Sequence, residues 1–298
     1  EPETQISLLK KLFKPKKHSI VSLVRVACHV DEFKNCLPAA NWLKENGYLV
    51  GFNLMQISDR SLEDITKLAK EASSYPIDVL YFADSLGSLD QEKLEQIILA
   101  FKKGWNYELG IHTHDNMGQA VNNSKQAIKL GANWIDSTVT GMGRGPGNAQ
   151  TEYIILALSK HRQNQGSSIK LFEIINKYFK PMQKQYGWGI NPFYYLAGLH
   201  GIHPSYIQEM LQDNRYDEED ILSVMEYLKK NGGKTFSLNT LEASRHFFST
   251  EPNGTWKPKN LIKDKNVLIL GAGPGIKKHK NSIESFIEHT NPYVIALN

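Results

Sequence analysis

Over the first 160 residues, short runs rich in β-branched and aromatic residues alternate with longer stretches of helical periodicity. Five runs read as strands: 21–27 (VSLVRVA), 48–55 (YLVGFNLM), 78–83 (DVLYFA), 108–112 (ELGIH) and 134–139 (WIDSTV). Between them lie apolar stripes of helical spacing. The first is 33–45, with Asp31 as N-cap. The second is 62–72, where Ser61 and Asp64 make an acidic capping-box pattern. The others are 91–103 and 120–130. The strand starts are separated by 27, 30, 30 and 26 residues. Such regular β-then-α alternation predicts parallel strands joined by helical crossovers. The strand centres are apolar almost throughout, as expected when both faces of a sheet are covered. No sequence repeat follows the period, which argues against a solenoid.

From about Thr151 the pattern changes. Helical periodicity continues at 152–160, 171–185, 206–212, 218–230 and 241–248, and strand signals nearly vanish. Gly232, Gly233 and the stretch 251–259 are linker-like. A fresh α/β unit then begins, with a strand at 266–270, a glycine turn at 271–275, a helix at 282–289 and a strand at 293–297. The expected organisation is therefore an α/β region over 1–160, a helical region over 161–250 and the start of another α/β domain over 260–298.

Composition narrows the class. Hydrophobic residues make up 41% of the 298 and charged residues 22%, which excludes disordered, collagen-like and coiled-coil chains. There is no apolar run of about 18 residues to cross a membrane, and the first twenty residues lack a signal peptide's apolar core. The net charge of +4 is spread out and implies no nucleic-acid partner. Two cysteines, Cys28 and Cys36, are too few for a disulfide framework or a metal cluster, and a reducing cytoplasm is the simplest setting. The chain does not begin with Met and is expected to be a piece of a longer protein.

The sharpest chemical signal is GIHTHDNMG, residues 110–118. His112 and His114 stand two apart at a strand end, so the strand period puts both imidazoles on one face, where they could supply two ligands to a divalent metal. The alternative is a pair of polar residues bonded to neighbours. Asp115, Asn116 and Gly118 crowd polar groups into the loop that follows, where βα loops carry active sites. The second signal is DSTVTGMGRGPGNAQTE, residues 136–152. Glycines at 141, 143, 145 and 147 follow a strand and precede a helix, a setting in which backbone N–H groups can approach an anion. A flexible turn is the alternative, and a P-loop is excluded because no Gly-Lys-Ser/Thr follows. Arg144 could pair with a carboxylate, and Asn148 offers an amide oxygen. Arg144, Gly145 and Gly147, with Asn53 from GFNLM, are the candidate substrate-binding residues. Arg25 in LVRVA and Asp84 in YFAD are the candidate catalytic groups, since charges in doubly covered strands need partners. Arg25 either faces a carboxylate in a barrel interior or forms a structural ion pair with Asp84 or Asp136.

At these residues the chain resembles the metal-dependent aldolase and lyase superfamily, which includes 4-hydroxy-2-oxovalerate aldolase, hydroxymethylglutaryl-CoA lyase and isopropylmalate synthase. The likeness rests on VLYFADSLGSL, GIHTHDNMG and GMGRGPGNAQTE. It spans about residues 21–158, extends more weakly to about 248, and is nearest to the 4-hydroxy-2-oxovalerate aldolase branch. The resemblance implies a (β/α)8 TIM barrel of the pyruvate carboxyltransferase type. It implies a divalent metal, Mn2+ first with Mg2+, Co2+ and Zn2+ as alternatives, held by His112, His114 and Asn148. It implies cleavage of a 4-hydroxy-2-oxo acid to pyruvate and an aldehyde, with a homo-oligomeric assembly and an acylating aldehyde dehydrogenase as partner through 171–248. Counting back from the two histidines on strand seven, only strands four to eight are present. The D-x-T-L-R-D-G-like segment that carries an Asp ligand and an Arg in the family is missing, so an incomplete barrel is expected. A Claisen-type acyl-CoA condensing enzyme and a catalytically silent scaffold are the competing functions. The NVLILGAGPG tail resembles the opening of a Rossmann-like domain, although Ile276 replaces the last glycine of the fingerprint; a nucleotide-independent doubly wound domain is the alternative.

Overall fold

The computed structural model describes residues 2–159, 168–245, 262–271, 273 and 275–297. The chain divides into two compact units, Glu1–Ser249 and Thr250–Asn298. The first opens with helix α1 (Pro2–Leu12) and then alternates strands and helices: β1 (Leu23–His29), α2 (Phe33–Cys36), α3 (Pro38–Glu45), β2 (Leu49–Met55), α4 (Leu62–Ala72), β3 (Val79–Asp84), α5 (Gln91–Lys102), β4 (Glu108–Thr113), α6 (Ala120–Lys129) and β5 (Trp134–Ile135). The five strands pair in parallel in the order β1-β2-β3-β4-β5, which is the expected α/β arrangement.

Alternation decides which face each residue serves. Val24, Cys28, Val50, Phe52, Leu54, Leu80, Phe82, Leu109 and Ile111 point one way into a single core with Ile65 and Ala69 of α4 and Leu94, Ile97 and Phe101 of α5. Each large side chain buried there contributes about 1.5–3 kcal/mol. Residues one position out of phase, Arg25, Asn53, Tyr81, His112 and Asp136, face the opposite side. Arg25 Nη1 donates to Asp136 Oδ2 at 2.5 Å, and its guanidinium lies 4.5 Å from the Tyr81 ring centre. β1 and β5 are opposite edges of the sheet; if it were flat they would stand roughly 19 Å apart. One Arg–Asp contact across that span requires the sheet to curl strongly around this face. Among the described residues β1 pairs only with β2 and β5 only with β4, so the sheet has two edges.

Several boundaries differ from expectation for local reasons. The helix expected over 33–45 is divided at Pro38, which opens α3 at a position that needs no N–H donor. Asp31 is not its N-cap; it pairs with Arg60 at 2.7 Å, while His29 and Glu32 form the capping box of a short 3-10 turn. Ser61 does cap α4, accepting from the Asp64 N–H at 3.1 Å. The strand expected over 134–139 stops at Ile135, because Thr138 N–H donates to the Ala149 carbonyl and turns the chain into the glycine loop.

The rest of the unit is helical: α7 (Thr151–Ala157), α8 (Ser168–Ile174), a π-helical turn (Ile175–Phe179), α9 (Lys180–Tyr186), α10 (Pro192–Leu199), α11 (Pro204–Gln212), α12 (Glu218–Asn231) and α13 (Leu238–Arg245). Tyr194, Ala197, Ile202, Tyr206, Met210, Ile221, Val224, Met225, Leu228 and Leu241 make a second core here. The linker-like stretch 251–259 lies outside the described residues. The second unit contains β6 (Val267–Leu270), α14 (Gly275–Lys278), α15 (Lys280–Thr290) and β7 (Tyr293–Ala296), with β6 and β7 parallel. No helix among the described residues is long and apolar enough to cross a membrane.

Candidate active site

The concave side of the sheet carries the polar groups, and they gather at the strands' C-terminal ends. There a cavity of about 320 Å3 is lined by Asn53 and Met55 from β2, Ala83 from β3, His112 and His114, Arg144 from the glycine loop and His203 from the helical region. His29, Gln56 and Ser85 complete the wall.

The histidine rings lie side by side, centres 4.9 Å apart and planes at 81°, as strand alternation requires. Each Nδ1 is engaged. His112 Nδ1 meets Asp136 Oδ2 at 2.8 Å, and His114 Nδ1 meets the Asp84 carbonyl oxygen at 2.8 Å. A carbonyl can only accept, so His114 carries its proton on Nδ1 and keeps a lone pair on Nε2. Burial lowers the His114 pKa to about 4, with the neighbouring His112 and Arg144 adding to the effect and the bond to Asp84 opposing it. Burial alone would push the Asp136 carboxyl up. The His112 hydrogen bond and the Arg25 charge outweigh burial and hold it below its ordinary value. The result is an ionised Asp136 that steers one imidazole and a neutral His114 steered by backbone. Imidazoles fixed through Nδ1 with Nε2 free are the arrangement metal-binding histidines use.

The glycine loop is fastened against this pair. Asp115 N–H donates to the Gly147 carbonyl, Ala149 N–H to Thr113, and Asn148 bridges His114 through backbone. Gly147 sits at φ +82° against the Gly141 carbonyl, where a Cβ would collide. Expected at the substrate, Gly147 serves loop closure instead. The Asn148 amide donates to the Met142 carbonyl at 3.1 Å and keeps its oxygen for another partner. Asn53 is 7% exposed and its Oδ1 has no hydrogen-bond partner, leaving a polar atom unsatisfied at the cavity wall.

Asp84, expected as a catalytic carboxylate, is placed elsewhere. Its side chain accepts from the Ser88 and Leu89 N–H groups at 3.0 and 3.2 Å and does not line the cavity. Burial raises its pKa to about 6, against the lowering by those backbone bonds. Its contribution to the site is the carbonyl that orients His114. Arg25 takes the ion-pair alternative, with Asp136 as partner. His203 was not foreseen from sequence: it precedes α11 as an N-cap, and nothing in its local pattern marks it as facing the sheet. Burial, then the Arg144 charge, lowers its pKa to about 4.

A divalent cation fits this centre in part. Two imidazole Nε2 atoms are suitable donors, whereas Asn148 is joined to His114 through backbone and its side chain, bonded to the Met142 carbonyl, is not part of the cavity wall. No group of three or more His, Cys, Asp or Glu side chains able to hold a metal occurs among the described residues, so a carboxylate ligand is not part of the set.

Known proteins resemble this chain in sequence and in fold. The chain is 35% identical over 168 residues to 4-hydroxy-2-oxovalerate aldolase of Geobacillus genomosp. 3, covering 56% of this chain and 49% of that one. It is 31% identical over 220 residues to 4-hydroxy-2-oxovalerate aldolase of Pelotomaculum thermopropionicum, covering 72% and 64%. The chain spans about half the length of the curated relatives it matches. Among solved structures, the N-terminal domain of a proposed aldolase from Bacteroides vulgatus superposes with a TM-score of 0.61 at 28% identity, covering 72% of this chain and 73% of that one. The carboxyl transferase domain of Rhizobium etli pyruvate carboxylase shares the fold, with a TM-score of 0.60 at 16% identity over 76% of this chain and 42% of that one. The HMGL-like family model matches residues 19–177, which take in the whole five-stranded sheet, the two histidines and the glycine loop, and the chain belongs to that family.

Proposed function

We propose that the protein is a divalent-metal-dependent carbon–carbon lyase that cleaves a 4-hydroxy-2-oxo acid to pyruvate and an aldehyde. The observation that carries this reading is the pair of imidazoles, each fixed through Nδ1 and each presenting a free Nε2 to one cavity. His112 and His114 would hold the cation, and Mn2+ is the first choice. When bound, the cation supplies Lewis-acid stabilisation for the negative charge that develops on the 2-oxo acid.

The chain's own residues divide the remaining work. Asp136 holds the His112 ring, and Arg25 neutralises Asp136 so that its charge does not oppose an anionic substrate. Asn53 presents an unpaired amide oxygen to a substrate hydroxyl. Arg144 places a positive charge at the same cavity. Among the other wall groups, Met55 and Ala83 keep part of the pocket apolar and limit water at the reacting carbon. A homo-oligomer, an acylating aldehyde dehydrogenase partner and a cytoplasmic setting are proposed on the family resemblance and the unbridged cysteines.

The second reading is a catalytically silent scaffold, favoured by the shortage of a carboxylate ligand among the described residues. One experiment separates the two. Pyruvate release from a 4-hydroxy-2-oxo acid is measured before chelation, after chelation and after Mn2+ is restored. The lyase reading expects activity that disappears with chelator and returns with Mn2+. Full activity in chelator removes the metal from the mechanism, and no activity under any condition favours the scaffold.

A further inference from the structure

Arg144 borders two cavities. One is the histidine cavity. The other, about 400 Å3, is lined by Gly143, Gly145, Trp188, Tyr194, Gln208 and Gln212 among others. It contains no Asp or Glu. Among the described residues Arg144 forms no ion pair, whereas Arg25, Arg60 and Arg215 each do.

Three further observations point to an oxyanion in the second cavity. The backbone N–H groups of Gly143, Arg144 and Gly145 donate to no acceptor among the described residues, and consecutive free N–H groups beside a left-handed residue form an anion-binding concavity. Gly145 is that residue, at φ +58°; a Cβ there would stand 3.1 Å from the Tyr194 ring, so a side chain would be strained and would crowd the pocket. Burial raises the Tyr194 hydroxyl to about pKa 12, with Arg144 opposing, so Tyr194 is a neutral donor rather than a competing anion.

We propose that this second cavity is a binding site for a carboxylate or phosphate group, held by Arg144 and the 143–145 backbone, and carried at the end of the substrate remote from its 2-oxo acid. Its volume exceeds what a bare oxyanion needs and leaves room for the chain that bears it. Trp188 and Tyr194 supply apolar faces for that chain. The aldehyde product would then be polar and anionic rather than a small alkyl aldehyde. The substrate assignment rests on the aldolase reading; the anion site does not.

The test has a binding arm and a kinetic arm. Inorganic phosphate and succinate are titrated calorimetrically into residues 1–298. At least one is expected to bind, and the tighter of the two identifies the group. Arg144 is exposed, so Arg144→Gln should fold normally; it should weaken that binding about tenfold or more. His112→Ala should leave it intact. If neither probe binds, if Arg144→Gln binds as well as wild type, or if His112→Ala abolishes binding, the site is not where we place it. In the kinetic arm, kcat/KM is compared for two 4-hydroxy-2-oxo acids, one with an alkyl end and one ending in the anion chosen by the binding arm. The ratio of anionic to alkyl substrate should fall about 100-fold in Arg144→Gln. An unchanged ratio overturns the substrate assignment. Phosphate or succinate binding through Arg144 without cleavage of either substrate keeps the site and defeats the aldolase reading.

Discussion

The two histidines differ in what they owe to the fold. His114 is tied to backbone, so its orientation survives any side-chain change nearby. His112 depends on one carboxylate, Asp136, itself shared with Arg25. His112→Ala therefore removes a metal donor and little packing. Activity should fall about 100-fold or more, while the free energy of unfolding in urea should change by less than about 1 kcal/mol. A variant that stays active would mean His112 is only a satisfied polar group. His203 gives a prediction about pH. Its folded-state pKa of about 4 stands below the ordinary 6.5, so the unfolded chain binds the proton more readily between those values. Its contribution is present above pH 6.5 and is lost as pH falls through 4. His203→Asn keeps an N-cap side chain for α11. The stability of wild type relative to this variant should drop by at most about 3 kcal/mol between pH 6.5 and 4, read from urea midpoints at each pH. A pH-independent difference would show that His203 is not held neutral by its surroundings.

At the level of elements, the link between Arg25 and Asp136 matters more than its exposure suggests, because it joins the two edges of one sheet. The side chains are 31% and 23% exposed, so solvent discounts their attraction. A double-mutant cycle of Arg25→Gln and Asp136→Asn should give a coupling of about 0.5–1 kcal/mol in unfolding free energy. Zero coupling would mean that the curl is set by the helices alone. This contact also marks where sequence reading stopped. The strands and α4 to α6 were legible because their alternation and period are strong and Ser61 supplies a cap. The likeness of His112 and His114 followed from spacing alone. That Arg25 would choose Asp136 over Asp84 depended on the sheet's curvature, which no local pattern encodes. Helix α10 went unread because NPFYYLAG is nearly uniformly apolar and has no polar face, although Asn191 caps it and Pro192 opens it. The α10–α11 segment is what brings Tyr194 and His203 to the glycine loop, so the helical region's share of the site was invisible until the chain was folded.

For the molecule as a whole, the unresolved physical demand is the pairing of its edges. Among the described residues β1 offers seven residues of backbone with a neighbour on one side only. β5 at the other edge is two residues long and therefore a poor template, whereas β1 has no such protection. In the second unit, β6 and β7 pair only with each other among the described residues, and Ile269 and Val294 are 60% and 41% exposed. Unpaired N–H and C=O groups next to exposed β-branched side chains favour association with another strand. Purified residues 1–298 should therefore associate reversibly, with a sedimentation coefficient that rises with concentration at neutral pH. The net charge of +4 is too small to oppose contact once salt screens it, so raising salt should strengthen the effect rather than relieve it. Two substitutions locate the cause. Ile269→Lys places a charge on the exposed face of β6, and Ala27→Pro removes a donor from β1. If the β1 edge dominates, only the second reduces association; if the second unit dominates, only the first does. A monomer that sediments identically at all concentrations would mean that neither edge is available, and the open-sheet account of this molecule would fall with it.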